Sequence, residues 1–210
     1  MKLYQSNASP NSRRVRIYLA EKDISMTVVP VDLGAREQFS EAYATINPRR
    51  VVPALVLDDG STIGEVPAII RYLEETHTHR PLLGTTARDK AVITMWERRM
   101  EQEGFAAVME TVRNGAAALK GRAIAGPHGY DQIPELVERG HRRIADFYDD
   151  LETRLVEVPF VAGDQFSVAD ITAMVAIDFA KKALSWEIPL KNAGSRRWYD
   201  AVSSRPNADS

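Results

Sequence analysis

Four short stretches of the chain hold residue types at spacings that can do chemistry. The first is Ser9-Pro10-Asn11-Ser12, set directly before an amphipathic run. It has the shape of a Cys-Pro-x-Cys thiol–disulfide motif with serine in both cysteine places. The chain holds no cysteine at all, so disulfides, protein thiolates and thiolate metal sites are excluded. The second is Val52-Pro53, at the head of "PALVL". Proline cannot donate to a strand ladder. It reads either as a trans proline opening a strand or as a cis peptide that turns the Val52 N–H and C=O outward, toward an extended peptide ligand. The third is Glu65-Val66 before "PAII". A helix start offers free N–H groups and a positive dipole end to a carboxylate. A neighbouring carboxylate suits an ammonium, so the pair fits the zwitterionic end of an amino acid; alone, Glu65 reads also as a plain helix-start residue. The fourth is Ser167-Val168-Ala169-Asp170. This is a capping box, with Phe166 placed as a hydrophobic staple toward Ile171. It is worth on the order of 1 kcal/mol and is structural rather than catalytic.

The elements around these stretches fall into two kinds. "KLYQ" reads as a strand. The helix after it runs to about Lys22, with Ser12 as its cap and Val15, Tyr18 and Leu19 on one face. "MTVVPV" is strand-like, and its Pro30 marks a strand end or an edge. "SEAYATI" is a short helix stopped at Asn47-Pro48. "PALVL" and "STI" form a hairpin around Asp58-Asp59-Gly60. "EVPAIIRYLEET" is a helix with Ile69, Tyr72 and Leu73 on one stripe. The order βαβαββα with a mixed sheet covers residues 1–78. Residues 79–86 are a polar linker, and residues 87–210 read as all helix. There a long helix runs from 87 to about 120 and ends at Gly121, weakened by Gly104 and Gly115. A second helix carries Ile144, Phe147, Leu151 and Leu155; a third, largely apolar one is central; a terminal one stops at Pro206.

Composition narrows the function. The formal charge of −2 on 210 residues provides no field for nucleic acid or a membrane surface. The basic "RRVR" at Arg13 to Arg16 reads as a solvated helix face. The N-terminus lacks a signal-peptide core, and no run approaches the roughly 20 apolar residues of a membrane helix. The expected location is the cytoplasm. His77 and His79 form an H-x-H pair without further ligands at useful spacing, so no metal site is expected.

"SPNSRRVRIYLAEK", "INPRRVVPALVLDDGSTIGEVPAIIRYLEE" and "VAGDQFSVADI" together resemble the cytosolic glutathione transferases, in their serine-type, bacterial-like form, over the whole chain. The resemblance implies a thioredoxin-like α/β N-terminal domain, an all-α C-terminal domain and a homodimer. It implies glutathione as co-substrate, no metal, and a small hydrophobic electrophile as second substrate. Ser9 matches the catalytic serine, whose hydroxyl donates to the glutathione sulfur. Val52 and Pro53 match the dipeptide that pairs with the cysteinyl backbone, and Glu65 and Val66 the pair holding the γ-glutamyl end. Val66 departs from the pattern, because a hydroxyl residue is usual there. Gln38 matches a position that contacts the glycyl carboxylate, while Val51 replaces a common polar neighbour. Tyr4 and Ser12 are candidate assistants at the sulfur. The electrophile site is expected between the domains, with Trp96, Met100, Phe105, Met109 and Trp186 as candidate lining residues. The implied activity is a detoxifying transferase. A glutathione-dependent isomerase or peroxidase and a non-catalytic interaction module are the alternatives. Asn11 stands where the zeta-class isomerases carry a cysteine, which argues against isomerisation.

Overall fold

The computed structural model describes residues 1–210 as two compact units. The first comprises residues 1–81, 125–128 and 210; the second comprises residues 82–124 and 129–209.

In the first unit, β1 (Lys2–Gln5) leads through α1 (Pro10–Glu21) to β2 (Thr27–Pro30). A 3-10 turn (Glu37–Phe39) and α2 (Glu41–Ile46) precede β3 (Ala54–Val56), β4 (Thr62–Gly64) and α3 (Val66–Thr76). The sheet order is β2-β1-β3-β4. β1 is parallel to β2 and antiparallel to β3, and β3 pairs antiparallel with β4. This is the mixed sheet the pattern predicts. Pro30 ends the edge strand β2, where its missing N–H leaves no gap in a ladder. The hairpin turn works because Gly60 takes φ 85°, and the Asp59 carboxylate accepts from the Ser61 N–H and hydroxyl. α1 and α3 bury Val15, Tyr18, Ile69 and Leu73 completely. Such side chains are worth about 1.5–3 kcal/mol each. Between the two helices the Lys22 Nζ lies 2.7 Å from Glu74 Oε2, and the Tyr18 hydroxyl donates to the same oxygen at 2.5 Å. Burial, with the carboxylate beside it, pushes the Tyr18 phenol up, so it remains a neutral donor. Removing one member of such a pair costs roughly 3–5 kcal/mol, because the other charge stays buried.

Two expectations about α1 are corrected. Its cap is Ser9, not Ser12: the Ser9 side chain accepts from the Ser12 N–H, and Pro10 takes the first helical position. Proline suits that position, since its fixed φ is already helical and its absent N–H would have lacked a partner. Nor is "RRVR" a solvated face. Arg14 is fully buried, and Arg13 and Arg16 are half-buried.

The second unit is helical. α4 (Ala87–Arg99) passes through a π-helical turn (Met100–Phe105) into α5 (Ala106–Gly115), followed by a 3-10 turn, α6 (Pro134–Leu155), α7 (Val168–Leu184) and α8 (Ala193–Ser203). The long helix therefore ends at Gly115, six residues before Gly121, where Ala116 turns extended. The π turn holds Gly104, and a Cβ there would come within 2.6 Å of the Phe147 ring, so the chain packs onto α6 at a distance only glycine allows. Gly140 is tighter still, its Cβ position lying 2.0 Å from Thr111 Oγ1 where α5 meets α6. α7 is buried along most of its length and is the central helix. No helix is long and apolar enough to cross a membrane.

Candidate active site

Strand register brings the sequence-marked stretches of the first unit to one end of the sheet. Tyr4 pairs with Ala54 and Ala54 with Gly64, so the three form one row across β1, β3 and β4. The next step beyond that row is Gln5 leaving β1, Pro53 entering β3 and Glu65 leaving β4. The turn that carries Ser9, the Val52-Pro53 dipeptide and the start of α3 thus share one sheet end. Two inter-strand steps span about 9.6 Å, close to the roughly 10 Å of an extended three-residue peptide.

The Ser9 turn is built from hydrogen bonds among three serines. Ser9 N–H donates to the Ser6 carbonyl at 3.0 Å, Ser12 N–H to Ser9 Oγ at 3.2 Å and Ser6 N–H to Ser12 Oγ at 3.3 Å. Ser9 Oγ therefore accepts one bond and keeps its own hydrogen. Ser9 is 7% exposed, whereas Ser12 is fully buried with its oxygen engaged by Ser6.

Val52 is placed by its neighbour. The Val51 carbonyl accepts from the Tyr43 hydroxyl at 2.7 Å and from Asn47 Nδ2 at 2.8 Å. Burial pushes the Tyr43 phenol up to about 12, so it stays a donor at neutral pH. The Val52–Pro53 peptide is cis, and no main-chain hydrogen bond within the chain engages the Val52 N–H or C=O. The Val52 side chain packs with Val31 and Tyr43, and Tyr4 closes the cluster with its ring edge-on to Tyr43. Tyr4 is thus held by packing against this group.

Glu65 caps α3 at φ 63°, ψ 127° without using its side chain for the cap. That backbone region costs on the order of 1–3 kcal/mol in a non-glycine residue and clusters at functional sites. Its carboxylate is exposed. The Val66 side chain is buried, 3% exposed, so a ligand would meet only its main-chain N–H. Pro67 has no N–H, which leaves that of Val66 as the foremost donor of the helix start. Gln38 lies in the 3-10 turn Glu37–Phe39, 8% exposed, and its buried Oε1 finds no partner in the chain. Arg50 ties this turn down by donating to the Phe39 carbonyl at 2.8 Å.

Sequence reading missed Arg16, which donates to the Ser6 carbonyl, and Tyr43 and Asn47, which donate to that of Val51. No motif marks such contacts in a sequence. Of the expected electrophile-lining residues, Met100 and Phe105 are core of the second unit. Trp96 is clasped between the Arg99 and Arg154 guanidinium groups, each 4.6 Å from its ring centroid, and Trp186 lies tilted against His141 with ring centroids 5.4 Å apart. Phe166 packs on Phe160 and under Arg205. No group of three or more histidines or carboxylates is arranged to hold a metal.

A mixed four-stranded sheet of this order, with a cis proline heading its third strand, is that of the thioredoxin-like class, here joined to a helical unit. Comparison with known proteins makes the assignment specific. The glutathione S-transferase N-terminal domain model matches residues 3–81, and the C-terminal domain model matches residues 134–201. The chain is 31% identical to glutathione S-transferase 2 of Saccharomyces cerevisiae over 99% of its own length and 87% of that protein. It is 32% identical to the maleylacetoacetate isomerase of Rattus norvegicus over 80% of its length and 73% of that protein. The crystal structure of Gtt2 from Saccharomyces cerevisiae superposes with a TM-score of 0.87 at 32% identity, covering 99% of this chain and 98% of the other. The chain belongs to the glutathione S-transferase family.

Proposed function

We propose that this protein conjugates the thiol of glutathione to a small hydrophobic electrophile, and that Ser9 stabilises the reacting thiolate. The observation that supports the reading is the row Tyr4–Ala54–Gly64, which brings the turn of Ser9, the Val52-Pro53 dipeptide and the start of α3 to one sheet end. Val52 offers the free N–H and C=O of an unfinished ladder to the cysteinyl residue. The Val66 N–H and the Glu65 carboxylate suit the α-carboxylate and ammonium of the γ-glutamyl end. Gln38 suits the glycyl end through its Nε2, which can donate to a carboxylate, whereas its buried Oε1 is an acceptor.

The chemistry follows from thiol acidity. A free thiol has a pKa near 8.5, so about 3% is ionised at pH 7. A hydrogen bond to a charged acceptor contributes roughly 1.5–3 kcal/mol, and the start of α1 adds about 0.3–1 kcal/mol for an anion. At 1.36 kcal/mol per unit, a lowering of about one to two units ionises between a quarter and three quarters of the thiol. Ser9 has the required proton, because its own oxygen is the acceptor in the cap. The test is Ser9→Ala. The bound thiol should titrate about one to two units higher and kcat/KM at neutral pH should fall roughly 10- to 100-fold. An unchanged rate and an unchanged thiol pKa would end the assignment. The reading includes a cytoplasmic homodimer, and a monomer by light scattering at micromolar concentration would count against that part of it.

A second reading is a glutathione-dependent isomerase, supported by the likeness to the rat maleylacetoacetate isomerase. Asn11 in place of that class's cysteine weighs against it. Assaying conjugation of a chloronitrobenzene beside cis–trans isomerisation separates the two, and a calorimetric titration without heat at millimolar glutathione would favour a non-catalytic module over both.

A further inference from the structure

We propose that Arg16, acting with Ser12, is a positioning residue that fixes where the Ser9 hydroxyl proton points. The inference rests on the reading of Ser9 as the thiolate donor. Ser6, Ser9 and Ser12 form a closed ring in which each main-chain N–H donates to the next member: Ser6 to Ser12 Oγ, Ser12 to Ser9 Oγ, and Ser9 to the Ser6 carbonyl. All three residues are buried. The ring sets the Ser9 oxygen, and with one lone pair occupied by the Ser12 N–H its O–H has fewer directions left.

Arg16 reaches back from the second turn of α1 to lock this ring. Its Nη1 donates to the Ser6 carbonyl at 3.3 Å and to Gln5 Oε1 at 2.6 Å. The Gln5 amide is in turn oriented by its Nε2 bond to Asn7 Oδ1 at 3.0 Å. Gln5 and Ser6 are thus tied to the helix by one guanidinium. That guanidinium is half-buried and meets only neutral acceptors. Burial and the neighbouring Arg13 charge both act to lower its pKa. Partial burial of a cation without a counter-ion costs some of its hydration. A thiolate at Ser9 would place a negative charge near it, so the same guanidinium serves the bound state better than the empty one.

The experiment titrates the bound glutathione thiol by its ultraviolet absorbance, with kcat and KM measured across the same pH range. It compares the wild type with Arg16→Met, Arg16→Lys, Ser12→Ala and Ser9→Ala. Arg16→Met should raise the thiol pKa by about one unit and lower kcat at neutral pH about tenfold, with KM for glutathione changed less than roughly twofold. Arg16→Lys should recover most of the loss, and Ser12→Ala should shift the thiol in the same direction by less. A wild-type thiol pKa in Arg16→Met overturns the proposal, as does a raised KM at unchanged kcat or a lysine that rescues nothing. If Arg16→Met does not fold, Ser12→Ala decides, and a wild-type thiol pKa in it overturns the proposal. An unmoved thiol in Ser9→Ala brings down the functional reading and this inference with it. A thiol moved by Ser9→Ala but not by Arg16→Met brings down the positioning role alone.

Discussion

Two helix starts in this chain use the same spacing to opposite ends. Ser9 caps α1 and Ser167 caps α7, each at an extended backbone position. Three residues on, α1 has Ser12 and α7 has Asp170. The Asp170 carboxylate accepts from the Ser167 N–H at 2.9 Å and its hydroxyl at 3.1 Å, from the Val161 N–H at 2.8 Å and from Trp198 Nε1 at 2.8 Å. The proton of Ser167 is thereby consumed inside the protein. At Ser9 no carboxylate takes the proton, and it stays available to a ligand. One cap is closed and holds the helical unit together. The other is left open, which is what an anion site at a helix start requires.

Breaking the closed cap should have the largest effect. Asp170→Ala leaves the buried Trp198 Nε1–H and the Val161 and Ser167 N–H groups without partners. At about 1–3 kcal/mol per orphaned group, the loss should be on the order of 4 kcal/mol. The urea midpoint reports it, provided the variant still folds. In the folded fraction the bound thiol should titrate as in the wild type, because this cap takes no part in the chemistry. A thiol pKa that moves with Asp170 would erase the distinction between the two caps.

Closing the open cap is the converse test and a smaller change. Ser12→Asp would supply α1 with the carboxylate that α7 already has. It would compete for the Ser9 proton and place a negative charge beside the thiolate. The bound thiol pKa should rise by about one unit or more, and kcat/KM at neutral pH should fall at least about tenfold. Stability should fall as well, because burying a carboxylate at this fully buried position outweighs the roughly 0.3–1 kcal/mol that a first-turn charge contributes, so the thiol is titrated in the folded fraction. An activity equal to that of the wild type would show that the charge of the third position is irrelevant at α1.

The two caps also differ in how legible they were. The α7 box was readable because all of its principal members sit within four residues: "SVAD" announces both partners. At α1 the same rule pointed to the wrong serine. Ser12 precedes the periodic apolar run, but Pro10 moves the helix start forward, and Ser9 becomes the cap. The element order, the mixed sheet and the hairpin were readable from local period and turn residues. The burial of Arg14 was not, because it depends on what packs over the helix. The helix end at Gly115 instead of Gly121 was missed because neither glycine alone fixes a stop. Tyr43 and Asn47 hold the Val51 carbonyl across a turn, and Gly104 meets Phe147 across two helices; contacts of this kind have no local signature.

A third helix start sharpens the comparison from the side of pH. α8 has no cap of its own side chain. Its free donors are instead met by Glu152 of α6, which accepts from the Gly194 N–H at 3.0 Å, the Ser195 N–H at 2.7 Å and the Ser195 hydroxyl at 2.8 Å. Burial pushes this carboxyl up, but the donors of Ser195 and Gly194 outweigh it and hold its pKa below the usual value. A depressed folded pKa means that the ionised form is the one the fold favours. The contribution is therefore present above the unfolded value of roughly 4.3 and is lost as pH falls through the lower folded value. Glu152→Gln should cost about 1 kcal/mol near neutral pH, the size of a carboxylate at a helix start. Urea melts of both proteins at about pH 7 and about pH 3 should show that gap closing in acid as Glu152 itself becomes neutral. A gap that persists in acid would mean that Glu152 acts through shape and hydrogen-bond count alone. The closed caps would then owe nothing to charge, and the contrast with Ser9, whose proposed task is to stabilise a charge, would be sharper still.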